Sequence, residues 1–192
     1  MKVSKAQSAQ NRQALLEAAG RLYRERGIGG VGVAEISRQA GFTHGGFYGR
    51  FDSKEALAAE ASAQALTQSL ARLQASLDRH GGDAAPYIQQ YLRPQHRDAA
   101  GQGCAIAALA VDAARSGGAL AEALTEGIAG YLAALAGSPA PSEAAKSRAV
   151  LSLSALVGGL VLARATAGAA PALSDEILAR LASALGELWP RG

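Results

Sequence analysis

The sequence has a single cysteine, Cys104, among its 192 residues. An internal disulfide framework and a cysteine-built zinc site are therefore excluded. Aromatic residues make up only 5% of the chain, and β-branched residues are sparse beside alanine and leucine. That balance argues against an all-β fold and favours helices. No apolar run follows Met1, so no secretory leader is expected. The longest apolar stretch, residues 149–163, lies between Arg148 and Arg164 and is broken by Ser152, Ser154, Gly158 and Gly159. A bilayer span needs about 20 apolar residues, so this run is expected to be a buried core or interface helix, with no membrane association. Also missing are a nucleotide-binding glycine motif after a strand, a metal-ligand pair four residues apart, and paired carboxylates in an apolar setting. No enzymatic activity, metal or cofactor is expected, and a cytoplasmic location is.

What is present is an ordinary globular composition, 49% hydrophobic and 18% charged, which excludes disorder as the global state. The length fits one domain, or a small head fused to a larger body. Charge is unevenly placed. Residues 1–60 carry nine cations against six anions, which is the whole net charge of +3, and the remainder is balanced. A basic head on a neutral body points to an anionic partner at the N-terminal end.

Hydrophobic periodicity predicts an all-α chain of about nine helices. After a polar, mobile tail over residues 1–10, a first helix spans residues 11–26 with the stripe Leu15, Ala18, Ala19, Leu22 and Tyr23. Residues 33–40 form a two-turn helix with Ile36 inward, residues 41–43 a tight turn, and residues 44–51 a very short helix. Asp52 and Glu55 stand at capping-box spacing and open a long helix to Arg79, striped by Leu66, Leu70, Leu73 and Leu77. Pro86 starts a helix carrying Tyr87, Ile88 and Tyr91. Residues 94–103 read as an irregular polar loop. Four further helices follow, over residues 104–115, 120–135, 142–166 and 174–189.

Two short helices joined by a glycine-containing turn and braced by a third form a helix-turn-helix. Only the start of its second helix can enter a DNA major groove, so residues there must be small or hydrogen-bonding. Thr43, His44, Gly45 and Gly46 meet that need. Phe47 and Phe51, four residues apart, are expected to anchor the helix inward and leave Tyr48 and Arg50 for phosphates. Lys54 stands in the first turn of the next helix, where free N–H groups favour an anion. Arg21, Arg24 and Arg38 read individually as solvated surface. His44 is no metal ligand, since neither His80 nor His96 lies at ligand spacing on the same element.

The run Ala18-Ala19, Leu22-Tyr23, Gly27, Val33, Ile36 and Ala40-Gly41-Phe42-Thr43 continues through Gly46-Phe47-Tyr48 and Phe51-Asp52-Ser53-Lys54-Glu55 to Leu57. With that order and spacing, residues 9–69 resemble the DNA-binding domain of the TetR family of bacterial transcriptional repressors. The resemblance implies that Tyr48 and Lys54 contact phosphates, while Thr43, His44 and Gly45 face base edges. The family usually carries Thr or Ser near Gly32, so no side-chain contact is carried over there. Residues 70–192 would be a ligand-binding and dimerisation domain. The partners implied are double-stranded operator DNA, a small-molecule inducer and a second copy of the chain.

The body agrees in part on its own pattern. Val150, Leu153, Val157 and Leu160 share one face of the penultimate helix, and Leu151, Leu156 and Leu162 lie on others, so that helix must be covered on several sides. Dimerisation through the last two helices, or burial of both in one core, would satisfy it. Small side chains between residues 54 and 135 leave room for a mostly apolar cavity, for which Tyr87, Tyr91, Tyr131 and Cys104 are candidate contacts. Tyr131 and Trp189 equally suit the core. The segment His96-Arg97-Asp98 to Gly103-Cys104-Ala105-Ile106 resembles a TetR subgroup in which some members sense electrophiles or oxidants through the cysteine. The alternative is a small buried hydrophobe. A purely structural helical oligomer is the rival to the regulator as a whole, and salt-dependent binding to duplex DNA separates the two.

Overall fold

The computed structural model describes residues 5–43, 45–137 and 139–189, and all regular structure among them is helical. The helices are α1 (Lys5–Arg26), α2 (Val33–Gln39), α3 (Gly45–Tyr48), α4 (Lys54–Arg79), α5 (Ala85–Tyr91) and α6 (Pro94–Asp98). After a 3-10 turn (Ala100–Gln102) come α7 (Ala105–Ser116), α8 (Gly118–Ala136), α9 (Glu143–Ala167) and α10 (Pro171–Glu187). Ten α-helices replace the nine expected.

Two of the differences have clear causes. Residues 5–10, expected as a mobile tail, are the first turns of α1. They contain alanine, glutamine and lysine with no glycine or proline, so nothing stops the helix propagating backwards. The expected loop over residues 94–103 is instead α6 and the 3-10 turn. Arg164 of α9 donates to the carbonyls of His96 and Arg97, at 3.1 Å each. Arg97 in turn reaches Ser174 at 2.8 Å and Asp175 at 2.6 Å. These anchors come from about 70 residues away in the chain, so the local sequence carries no trace of them.

Two apolar clusters organise the packing. Leu15, Ala19, Leu22, Tyr23, Ile36, Phe47, Phe51 and Leu57 form the first, joined by Leu109 of α7. The second runs from Leu66 and Leu73 through α5, α7 and α8 to Leu160, Leu178 and Trp189. Helix α4 is continuous through both, with Leu57, Ala58 and Ala61 in one and Leu66 and Leu73 in the other. Tyr131 and Trp189 are buried, as the core reading expects. The Trp189 indole donates to Ser152 Oγ at 3.2 Å, which satisfies its N–H inside the protein.

Helix α9 buries Ala149, Ser152, Leu153, Leu156, Gly159, Leu160 and Ala163. Val150 and Leu151 are instead exposed, as are Val161 and Leu162. The expected inward face holding Val150 with Leu153 is thus rotated. Extending the apolar run to whole turns gives α9 25 residues, and α8 has 19. Both are long and apolar enough to cross a membrane by length and composition alone, so the expectation that the run is too short is revised. Here the two helices pack within the second cluster.

Candidate functional site

Three elements present the short helix α3. Helix α2 starts at Gly32, whose backbone is extended (φ −92°, ψ 153°) and supplies no side-chain cap. The turn reverses at Gly41, where φ is +81°, a conformation that only glycine adopts cheaply. The Phe42 amide closes that turn on the Ser37 carbonyl at 2.8 Å. The Gly46 amide then bonds the Thr43 carbonyl at 2.9 Å. A methyl group on Gly46 would lie 3.0 Å from Phe42 Cβ, a tight contact that the missing side chain relieves at the close approach of that turn.

Anchoring follows the sequence closely. Phe47 and Phe51 are buried and stack at 5.8 Å between centroids. Tyr48 meets the Phe47 ring edge-on at 5.3 Å and is 65% exposed. Thr43 is exposed, and Lys54 is half-buried in the first turn of α4. His44 lies outside the described residues, and of Gly45 only its place at the start of α3 is described.

Two details depart from expectation. Arg50 does not extend outward: its guanidinium donates to the Gly46 carbonyl and lies over the Phe42 ring at 5.5 Å. The cap of α4 is Ser53, not Asp52, with Ser53 Oγ accepting from the Ala56 amide at 3.0 Å. Glu55 is exposed beside that cap, and its own backbone amide, then the Ser53 hydroxyl, hold its carboxyl below the usual range.

A cavity of about 520 Å³ lies where α1, α4 and α5 meet the link between α6 and α7. Tyr87, Tyr91 and Cys104 all stand on its wall, so the structure brings together three of the four residues expected there. Tyr131 lies behind them, its hydroxyl engaged by Ser69 Oγ and, at 3.4 Å, by Tyr87. Burial raises the Tyr87, Tyr91 and Tyr131 hydroxyls above their ordinary pKa, so all three are neutral. The lining is about as polar as it is apolar, not mostly apolar as expected, because Arg24, Arg72, Gln68, Gln90 and Gln102 also border the space. Reading α4 by its leucines missed this second face.

Arg24 is the main residue that sequence reasoning placed wrongly. It is half-buried, with Nε and Nη2 both donating to the Gly101 carbonyl, the first at 2.9 Å. A side chain at Gly101 would collide with Arg21 and Glu25 of α1. The missing Cβ therefore lets α1 and the body approach closely enough for this bond.

Cys104 is 4% exposed and immediately precedes α7. Its backbone N–H donates to His96 Nε2 at 3.0 Å, while His96 Nδ1–H donates to the Tyr91 carbonyl at 2.7 Å. That pair of bonds requires a neutral imidazole. Burial lowers the His96 pKa, the bond to the Tyr91 carbonyl opposes this, and Arg164 and Arg72 add to the lowering. Arg97, in the same segment, points away to Asp98 and Asp175. The cations nearer Cys104 are Arg24 and Arg164.

A consequence is a pH dependence of stability. The folded protein binds a proton at His96 less readily than the unfolded chain does. Its contribution is complete above the ordinary histidine pKa of about 6.5 and is lost as pH falls below it. Thermal unfolding should show wild type losing more stability between pH 7.5 and 5.5 than His96→Gln. Parallel losses would exclude His96 as the source.

Residues 15–61 match the model of the family described as bacterial regulatory proteins, tetR family. The whole chain is similar to NemR of E. coli in its reduced form, at 21% identity over 95% of this chain and 98% of that one, with a TM-score of 0.76. It is also similar to a TetR-family transcriptional regulator from Cytophaga hutchinsonii, at 20% identity, 97% and 98% coverage, and a TM-score of 0.71. A transcriptional regulator from Rhodococcus sp. Rha1 is 28% identical over 93% of this chain and 95% of that one, with a TM-score of 0.67. No curated protein is similar enough to this chain to count as a match. The matched segment is the one that builds α1 to α4 around an exposed turn and short helix, so residues 15–61 carry the N-terminal domain of the tetR family of bacterial regulatory proteins, and the whole chain shares the fold of these regulators.

Proposed function

We propose that the chain is a homodimeric repressor that leaves a near-palindromic operator when a small molecule enters the cavity beside Cys104. The observation that carries this reading is the presentation of α3, with Phe47 and Phe51 buried and Tyr48 and Thr43 exposed on the other side. Residues 9–69 would be the DNA-binding unit and residues 70–192 the ligand-binding and dimerisation unit, in a cytoplasmic protein. Thr43, His44 and the Gly45-Gly46 backbone would read base edges, and Tyr48 and Lys54 would hold phosphates. Arg50 reaches a phosphate only by leaving the Gly46 carbonyl, so its role is the weakest of the set.

Tyr48→Phe isolates one phosphate bond while keeping the ring against Phe47. A net hydrogen bond contributes about 1 kcal/mol, and two copies in a dimer give roughly a 30-fold loss of affinity. Fluorescence anisotropy should show that loss on operator and non-operator duplexes alike. Unchanged affinity would remove Tyr48 from the interface, and no salt-dependent duplex binding by wild type would remove the regulator reading itself.

A covalent route to release is favoured by one observation, that the Cys104 thiol lies on the cavity wall. N-ethylmaleimide bound there would add bulk against α4, the helix that carries Lys54 at one end and Leu70 and Leu73 in the body. Release requires that the adduct favour one of two conformations over the other. Operator affinity should fall on alkylation of wild type and stay constant for Cys104→Ser. If fully alkylated wild type still holds its operator, Cys104 is a core residue.

A further inference from the structure

The cavity beside Cys104 has an unbalanced charge. Arg24 and Arg72 both face it, and among the described residues no carboxylate lines it. Neither arginine makes an ion pair with a described residue, and Arg72 lies close enough to Arg24 to help lower its pKa. His96 adds no charge, since its ring is neutral between the Tyr91 carbonyl and the Cys104 amide. A second observation is independent of the first. Tyr91 lines the same space and is 6% exposed, and its hydroxyl, beside the Cys104 side chain, has no hydrogen bond of acceptable geometry. A buried hydroxyl without a partner costs about 1–3 kcal/mol, which a bound acceptor would relieve.

We propose that this cavity is built for a small organic carboxylate, with its anionic end held by Arg24 and Arg72 and an oxygen elsewhere on the molecule accepting from the Tyr91 hydroxyl. Planar guanidinium groups match a carboxylate in shape and charge, and bonds to an ionised partner are about twice as strong as neutral ones. The volume lies within the range for small-molecule sites, roughly 300–1,000 Å³. Glutamine and tyrosine on the wall suit a compact ligand with hydrogen-bonding oxygens over a long alkyl chain.

The position of Arg24 gives binding a direct route to the DNA-binding unit. Arg24 belongs to the last turn of α1 and holds the Gly101 carbonyl of the body. A carboxylate competes with that carbonyl for the same guanidinium and offers a full charge in place of a dipole. Occupancy therefore loosens a bond that ties α1 to the body, and the two arrangements bind ligand with different affinity, as any switch requires. This inference rests on the proposed regulatory role for its consequence, but not for the binding itself.

Isothermal titration calorimetry on the full chain tests it with matched pairs: benzoate, 4-hydroxybenzoate, trans-cinnamate and 4-oxopentanoate, each beside its primary amide. At least one carboxylate is expected to bind roughly tenfold or more tightly than its amide. Arg72→Gln, at an exposed side chain, should abolish that preference. Tyr91→Phe should weaken binding with little change in melting temperature, because the hydroxyl it removes makes no well-formed hydrogen bond in the fold. Binding of none of the four carboxylates, equal binding of the amides, or an unchanged preference in Arg72→Gln overturns the proposal. The same carboxylate should lower duplex-DNA affinity of wild type, and bound ligand with unchanged DNA affinity overturns the Arg24 route. A chain that binds a carboxylate but no DNA removes the regulator reading alone; DNA binding with no carboxylate binding removes this inference alone.

Discussion

Phe47→Ala is expected to destabilise the protein by about 3–5 kcal/mol and to abolish specific DNA binding. The ring is 1% exposed and is wedged between Phe51 and the rest of the first apolar cluster. It is also what fixes a helix of only four residues, α3, which has too few internal hydrogen bonds to persist by itself. Removing it leaves a cavity under α3 and frees Tyr48 from the edge-on contact that sets its direction. Urea unfolding should show the lost stability, and anisotropy should show duplex binding falling to the non-specific level. Folded protein with wild-type operator affinity would mean that α3 is held from elsewhere.

Gly158→Leu is expected to convert dimer to monomer and lower operator affinity by two orders of magnitude or more, as a bivalent contact becomes a single one. Leu151, Val161 and Leu162 leave one side of α9 apolar and exposed, with Ser154 and Gly158 between them. Val150, also on α9, and Leu173 of α10 are exposed as well. Large apolar side chains left exposed together on one side of a helix mark an interaction site. A methyl on Gly158 meets nothing within 4 Å in the protomer, whereas one on Gly159 collides with Leu181 of α10. The variant therefore probes the partner and spares the fold. Sedimentation should give monomers with an unchanged helical signal. A dimeric Gly158→Leu protein would move the seam elsewhere, and a monomeric wild type at micromolar concentration would remove it.

The head was legible because its determinants are local. The Phe47–Phe51 spacing, the glycines of the turn and the stripe of α1 each specify structure within a few residues. What escaped was set by distant groups. The 94–103 segment folds because Arg164, Arg97 and Arg24 bond across it, and no periodicity records a partner about 70 residues away. The face of α9 was misread for a related reason: nearly every side of that helix is apolar, so the pattern has no preferred direction. The cavity residues Tyr87, Tyr91 and Cys104 were found because aromatics and cysteine are so rare here. Arg24 and Arg72 were missed because arginines on helices are common, and only the fold shows which of them line a cavity.

Leu109 belongs to α7 yet completes the apolar cluster of the head, and nearby Asp112 accepts from the Ile28 amide at 3.4 Å. The boundary between the two units is thus not a point in the chain. Chimeras that graft this head onto a relative's body at the middle of α4 would transplant a socket without its plug. Such hybrids should need Leu109 and Asp112 carried over as well, and a head expressed alone would show an apolar hole where α7 had been. The modularity of this protein lies in its surfaces, and a designer has to cut along those instead of along the sequence.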